Sequence, residues 1–139
     1  MRRRDRKVGL LLPDHFWNVF YDGRRFPGAS GNDGLASGAN CQTFAYAVLR
    51  YFGRSIPDFR SEELWHDRTH TFVVTAWEPL DLILLNRSHE AFGAHVGVFI
   101  GDQILHLCKS AGRPALWDLS QFAERREYGV LIGAKRTRH

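Results

Sequence analysis

Residues 41–52 carry the clearest amphipathic helix of this chain, and most of the apolar sequence after them comes in short strand-like runs. Phe44, Ala45, Val48, Leu49 and Phe52 recur at helical intervals, so they predict one buried stripe. Asn40 is a good N-cap, and Gly53 is a natural stop after a last turn that holds Arg50. Such a stripe has to be covered, and the sequence supplies a sheet to cover it. Leu82-Ile83-Leu84-Leu85 reads as a buried strand and residues 95–100 as a second. Gly101-Asp102 reads as a tight turn, residues 103–108 as the returning strand, and residues 130–135 as the last strand. One principal helix followed by a mostly antiparallel sheet is the α+β class.

The remaining segments are shorter. A helix is expected over 14–21 with Asp14 as its cap, another over 61–66 capped by Ser61, and a third over 118–125, preceded by Trp117. Residues 22–39 read as loop: Gly23, Gly28, Gly31, Gly34 and Gly38 surround Asn32-Asp33, and no phosphate-binding pattern or following lysine accompanies them. Residues 8–12 are a first strand or a lead into the fold. The apolar run ends at Pro13-Asp14-His15, too short for an export signal, and no small-residue cleavage site follows. A cytoplasmic location is therefore the expectation, with export by a route lacking a signal peptide still compatible. No run of 18 apolar residues exists, so no membrane span is expected.

Length and charge bound the rest. The 139 residues fit one domain, 1–139, without repeat or linker. The net charge of +4 resides at the ends: residues 1–7 sum to +4 and residues 135–139 to +3, leaving −3 for the body. These ends read as solvated basic tails, and the body offers no nucleic-acid face. Two cysteines exclude a disulfide framework. Oligomeric state cannot be read from the sequence.

The chemistry gathers on three residues. Cys41 opens the main helix, where the dipole and unpaired N–H groups favour a thiolate. His95 begins an apolar strand, where packing gives little reason for an imidazole, and His106 lies in the returning strand, close to opposite. A nucleophile, a base and a group that orients the base are the parts of cysteine acyl transfer. No cofactor or metal is needed. Taken alone, Cys41 would be a small buried hydrophobe. A zinc site of Cys41, His95, His106 and Cys108 is the rival, but His106 and Cys108 lack the usual knuckle spacing. Cys108 reads as ordinary core near the site. His66 and His70 lack the glutamate of a zincin helix and read as surface or loop.

These stretches resemble the NlpC/P60 family of papain-like cysteine peptidases and amidases. The family opens its catalytic helix with Asp-Cys-Ser-Gly, where this chain has Asn40-Cys41-Gln42-Thr43. Its Pro-Gly-Asp-Leu strand is matched by Pro79-Leu80-Asp81-Leu82, and its His-Val-Gly-Ile-Tyr-x-Gly by His95-Val96-Gly97-Val98-Phe99-Ile100-Gly101. The third polar residue falls in Ile104-Leu105-His106-Leu107, and residues 128–136 are similar to the last strand. The resemblance implies a papain-like fold with Cys41 as nucleophile, His95 as base and His106 as orienting residue. It also implies an oxyanion hole at the Cys41 N–H, and Asn40, Gln42, Phe26 and Tyr21 as candidates for the substrate side. The implied partner is a peptide or peptidoglycan fragment, cut at a stem-peptide amide. The departures at Asn40, Gln42 and Thr43 leave two alternatives: an amidase acting on a non-wall amide, and a catalytically silent domain that binds a peptide or small acylated molecule.

Overall fold

A computed structural model describes residues 11–30 and 34–138. The expected lead-in strand over 8–12, the basic segment 1–7 and part of the glycine loop fall largely outside these residues. Within them Leu12 is buried in the core. Four helices, α1 (Asp14–Trp17), α2 (Cys41–Tyr51), α3 (Ser61–His66) and α4 (Leu119–Ala123), accompany six strands. The strands are β1 (Thr71–Val74), β2 (Leu82–Asn86), β3 (His95–Phe99), β4 (Ile104–His106), β5 (Ala115–Trp117) and β6 (Val130–Thr137). They form one antiparallel sheet in the order β1-β6-β2-β3-β4-β5. The class is α+β, as expected, and no described helix is long and apolar enough to cross a membrane.

The sheet separates two cores, and strand alternation decides which residue enters which. Leu82, Leu84, Val96, Val98, Leu105 and Leu107 meet Phe44, Ala45, Val48 and Leu49 of α2. Ile83, Leu85, Ile104 and Ala134 face the other way, against Phe122 of α4. Each fully buried Leu, Val or Phe contributes about 1.5–3 kcal/mol. The predicted stripe of α2 is therefore its buried face, although Phe52 is only partly covered. Burial extends beyond it to Tyr46, whose hydroxyl donates to the Phe59 carbonyl (2.8 Å) in the segment that follows the helix.

Several local expectations are corrected. The first helix stops at Trp17, where Asn18 Nδ2 donates back to the Asp14 carbonyl (3.3 Å), and its N-cap position is Pro13 rather than Asp14. Arg60, not Ser61, occupies the N-cap of α3, its N–H meeting Glu63 (2.8 Å). The C-terminal basic tail is not a tail: β6 runs to Thr137, and Lys135 is fully buried. Its ammonium donates to the Trp65 and Asp67 carbonyls at the end of α3. Strands β1 and β5 were not anticipated. One feature runs against local preference. Leu80 takes a φ of 80° in the Glu78–Asp81 turn, where the resembling family has glycine. Its buried side chain and its N–H bond to Phe99 O (2.7 Å) hold it there, and the turn delivers buried Asp81 to a fork from Arg136 (2.8 and 2.9 Å).

Candidate active site

Cys41 is the first residue of α2, and its place is set by a tight N-terminal lock. Asn40 Oδ1 accepts from the N–H groups of Gln42 (3.0 Å) and Thr43 (2.9 Å), while Asn40 N–H donates to Thr43 Oγ1 (2.9 Å). Two of the four orphan amides at this helix start are thereby satisfied. Upstream, Tyr21 pairs with Ala39, which fixes the chain entering the helix. Gly38 is required there, because a Cβ would lie 2.8 Å from the Phe20 ring at a φ of 97°.

The two histidines come together through the β3–β4 hairpin. Its register pairs Val98 with Leu105 and Phe99 with Ile104 around Gly101-Asp102, which places Gly97 opposite His106 when continued. His95 is thus diagonal to His106 rather than directly across. Gly97 makes the approach possible: a Cβ on it would lie 2.5 Å from Ile104 Cγ2 and 3.3 Å from His106 Cβ. The imidazoles meet at 2.9 Å, His95 Nε2 to His106 Nδ1, with perpendicular rings. Both are buried among aromatic rings from the far face of the sheet. Tyr128 lies 4.6 Å from His95, and Trp117 and Phe122 lie 4.2 and 4.6 Å from His106, centroid to centroid. Burial drives both imidazoles well below their ordinary pKa, and His106 is pushed further by His95 and Arg125. Both are therefore neutral near pH 7.

Neutrality restricts the tautomers. A single hydrogen lies between His95 Nε2 and His106 Nδ1. When His95 supplies it, His95 Nδ1 is a free acceptor and His106 carries its hydrogen on Nε2, the one buried imidazole nitrogen left without a partner among the described residues. When His106 supplies it, His95 Nδ1 is protonated and cannot act as a base.

Cys41 differs from expectation in two ways. Burial outweighs the helix start and pushes its thiol up to about 11, even though the N–H groups of Val96, Gln42 and Cys41 itself pull down. Among the described residues, no hydrogen bond joins its Sγ to either imidazole. The thiol sits beside the amide of Val96, immediately after His95, while the His95 ring packs against Phe122 and Tyr128, and Tyr128 also feels Cys41. The two imidazoles are in contact with each other, and the thiol lies near the opening of β3.

A cleft of about 600 Å³ opens at Cys41 between the start of α3 and the loop before β3. Ser61 ties those walls together, donating to Ala91 O (2.8 Å) and accepting from Ala94 N–H (3.1 Å). Of the residues named from sequence, Tyr21, Asn40 and Gln42 line this cleft with Cys41, whereas Phe26 does not and lies under the Arg60 guanidinium (4.6 Å). The Gln42 amide is already committed to Tyr46 Oη (3.2 Å) and Phe59 O (2.9 Å), so it cannot serve an oxyanion. Cys108 is buried beside Ser110 and Tyr128. No three His, Cys, Asp or Glu side chains converge as metal ligands among the described residues. The aromatic enclosure was not anticipated. Trp117, Phe122 and Tyr128 meet the imidazoles from separate elements, and no local spacing signals that.

No family model and no curated protein matches the chain. Solved structures do. A NlpC/P60 family protein from Bacillus cereus ATCC 10987 superposes with a TM-score of 0.54 at 19% identity, over 71% of this chain. The chain spans about a third of that protein's length, 32%. The NlpC/p60 domain of the peptidoglycan hydrolase SagA gives a TM-score of 0.50 at 19% identity, covering 79% of this chain and 88% of that domain. The α2–sheet arrangement that brings Cys41 to the opening of β3 is, in its architecture, the NlpC/P60 fold.

Proposed function

We propose that the chain is a cysteine hydrolase of amide bonds, with Cys41 as nucleophile, His95 as general base and His106 as the residue that orients it. The observation that carries this reading is the buried His95–His106 hydrogen bond, formed beside a helix that begins with a half-covered cysteine in a cleft. An imidazole pair with no other partner in an aromatic enclosure is expensive to bury, and a base held in one tautomer is what it can provide.

In this mechanism His95 Nε2–H donates to His106 Nδ1, leaving His95 Nδ1 to receive the Cys41 proton. The resting pair is neutral, so the proton moves as sulfur attacks the carbonyl rather than beforehand. Substrate entry has to bring thiol and imidazole together at the start of β3; contacts of this kind tighten in the Michaelis complex. The tetrahedral oxygen develops at the mouth of α2, where the Cys41 N–H is uncommitted among the described residues. His95, now an imidazolium, protonates the leaving amine, and water releases the thioester.

For substrate, we propose a peptidoglycan stem-peptide amide, on the basis of the fold shared with the SagA domain. Isolated sacculi incubated with the protein should yield fragments visible by mass spectrometry, and Cys41→Ser should yield none. Equal fragment profiles for the two proteins would reject the wall reading. The absence of a Cys41–His95 hydrogen bond among the described residues and the raised thiol favour a second reading, a silent domain of the same fold that holds a peptide or acylated molecule in the cleft. An electrophilic cysteine probe separates the two: selective labelling of Cys41, slowed by His95→Ala, counts against silence.

A further inference from the structure

We infer that the side-chain amide of Asn40 is a second oxyanion donor, acting beside the Cys41 N–H; this deepens the acyl-transfer reading and rests on Cys41 being the nucleophile. The orientation of the amide follows from its partners. Only oxygen can accept hydrogen bonds, and one end of the Asn40 amide receives two backbone N–H groups, from Gln42 (3.0 Å) and Thr43 (2.9 Å). That end is Oδ1, so Nδ2 is turned away from the helix axis. Nδ2 donates to no group among the described residues, and Asn40 is a half-buried wall residue of the cleft at Cys41.

The inventory of donors at this helix mouth is short. Gln42 and Thr43 N–H are consumed by the cap, and the Gln42 side chain is consumed by Tyr46 and Phe59. Among the described residues, what remains free around the sulfur is the Cys41 N–H, the two hydrogens of Asn40 Nδ2 and the Tyr21 hydroxyl of the same cleft. Of these, the Cys41 N–H and Asn40 Nδ2 belong to the helix mouth, where a carbonyl oxygen that gains negative charge would meet them. An aspartate at position 40 would cap the helix equally well. It would, however, carry no N–H to donate. The departure Asn40 thus supplies a donor where the resembling motif has an acceptor, and the acyl group accepted at this site is one whose carbonyl oxygen lies over the Asn40 edge of α2.

Asn40→Ser and Asn40→Asp both keep an N-cap oxygen, so the fold is retained and circular dichroism melting verifies it. Two reactions of Cys41 are compared: acylation by p-nitrophenyl acetate, which forms an oxyanion, and alkylation by iodoacetamide, which does not. Asn40→Ser should slow acylation by about 10²–10³-fold, the usual loss of one such donor, while alkylation stays within about twofold of the parent. Asn40→Asp, which keeps the cap oxygen and loses the N–H donor, should also slow acylation. Unchanged acylation in Asn40→Ser overturns the inference, as does an equal fall in both reactions, which would mean that Asn40 acts on the thiol. If the parent protein is alkylated at Cys41 but never acylated, the nucleophile reading itself fails and the inference falls with it.

Discussion

Lowering the pH from 7.5 to 5 should destabilise this fold steeply, because two imidazoles are kept neutral inside it. Burial holds His95 and His106 far below the ordinary value of 6.5. Below pH 6.5 the unfolded chain binds two protons that the folded chain excludes. Stability from this source is complete above pH 6.5 and lost on acidification. Each group contributes a slope of about 1.4 kcal/mol per pH unit, so the pair gives about 2.7. At pH 5 the accumulated loss is about 4 kcal/mol, a large part of the roughly 5–15 kcal/mol available to a domain. The window is free of the depressed carboxylates: Asp22 and Asp67, held at about 2 by their hydrogen bonds, titrate below 3.8. Urea unfolding at half-unit pH steps measures the slope directly. His106→Gln keeps an acceptor for His95 Nε2–H but removes one titrating group, and should halve it. A parent slope below about 1.4 kcal/mol per unit between pH 6 and 5, or a slope that His106→Gln leaves unchanged, would refute the neutral buried pair.

Further outcomes follow from the same geometry. Gly97→Ala drives a methyl into Ile104 and the His106 Cβ, so it should cost about 1–3 kcal/mol and separate the imidazoles, read as a shift of the histidine ring NMR signals. Arg136→Met strands the fully buried Asp81 carboxylate and should lower unfolding free energy by about 3–5 kcal/mol in urea titration. Iodoacetamide alkylation of Cys41 should rise tenfold per pH unit without a plateau below pH 9, since the thiol titrates near 11. At pH 7.5 it should run about tenfold slower than a free cysteine peptide, the smaller thiolate fraction being partly offset by greater nucleophilicity. A plateau near pH 7 would show the helix dipole prevailing after all. Raising the pH from 7 toward 10 should add stability through Lys135, whose burial holds its ammonium near 8 against 10.5 in the unfolded chain; Lys135→Met should remove that rise in urea midpoints.

What could be read from the sequence was whatever is decided within a dozen residues. The stripe of α2, the Asn40 cap and the Gly101-Asp102 hairpin are local patterns, and the hairpin alone was enough to bring His95 within reach of His106. What escaped was decided by distant partners. Thr71–Val74 and Ala115–Trp117 are four- and three-residue edge strands whose existence depends on β6 and β4 being beside them. Lys135 looked like part of a solvated basic end because its sequence neighbours are basic. It is buried because the end of α3, some 70 positions earlier, presents the Trp65 and Asp67 carbonyls, which accept from Lys135 and also from Arg68. Ser61 looked like a cap and instead links the two walls of the cleft. The helix-start argument for Cys41 named a real effect with the right sign, but sequence carries no measure of burial, and burial was the larger effect.

The sheet itself explains why both reactive partners rest uncharged. Alternation along β3 sends Val96 toward α2 and the His95 ring toward Phe122 and Tyr128, while the Cys41 thiol lies beside the Val96 amide, and burial acts on both groups. A thiolate–imidazolium pair formed in advance would require two buried charges, each stripped of water and lacking the contact that compensates it. Keeping both groups neutral removes that cost until a carbonyl enters the cleft. In the proposed reaction charge then appears first on the carbonyl oxygen, at the helix mouth that holds the Cys41 N–H. In the proposed mechanism the substrate oxyanion, and not the resting thiol, is therefore what the helix N-terminus would stabilise.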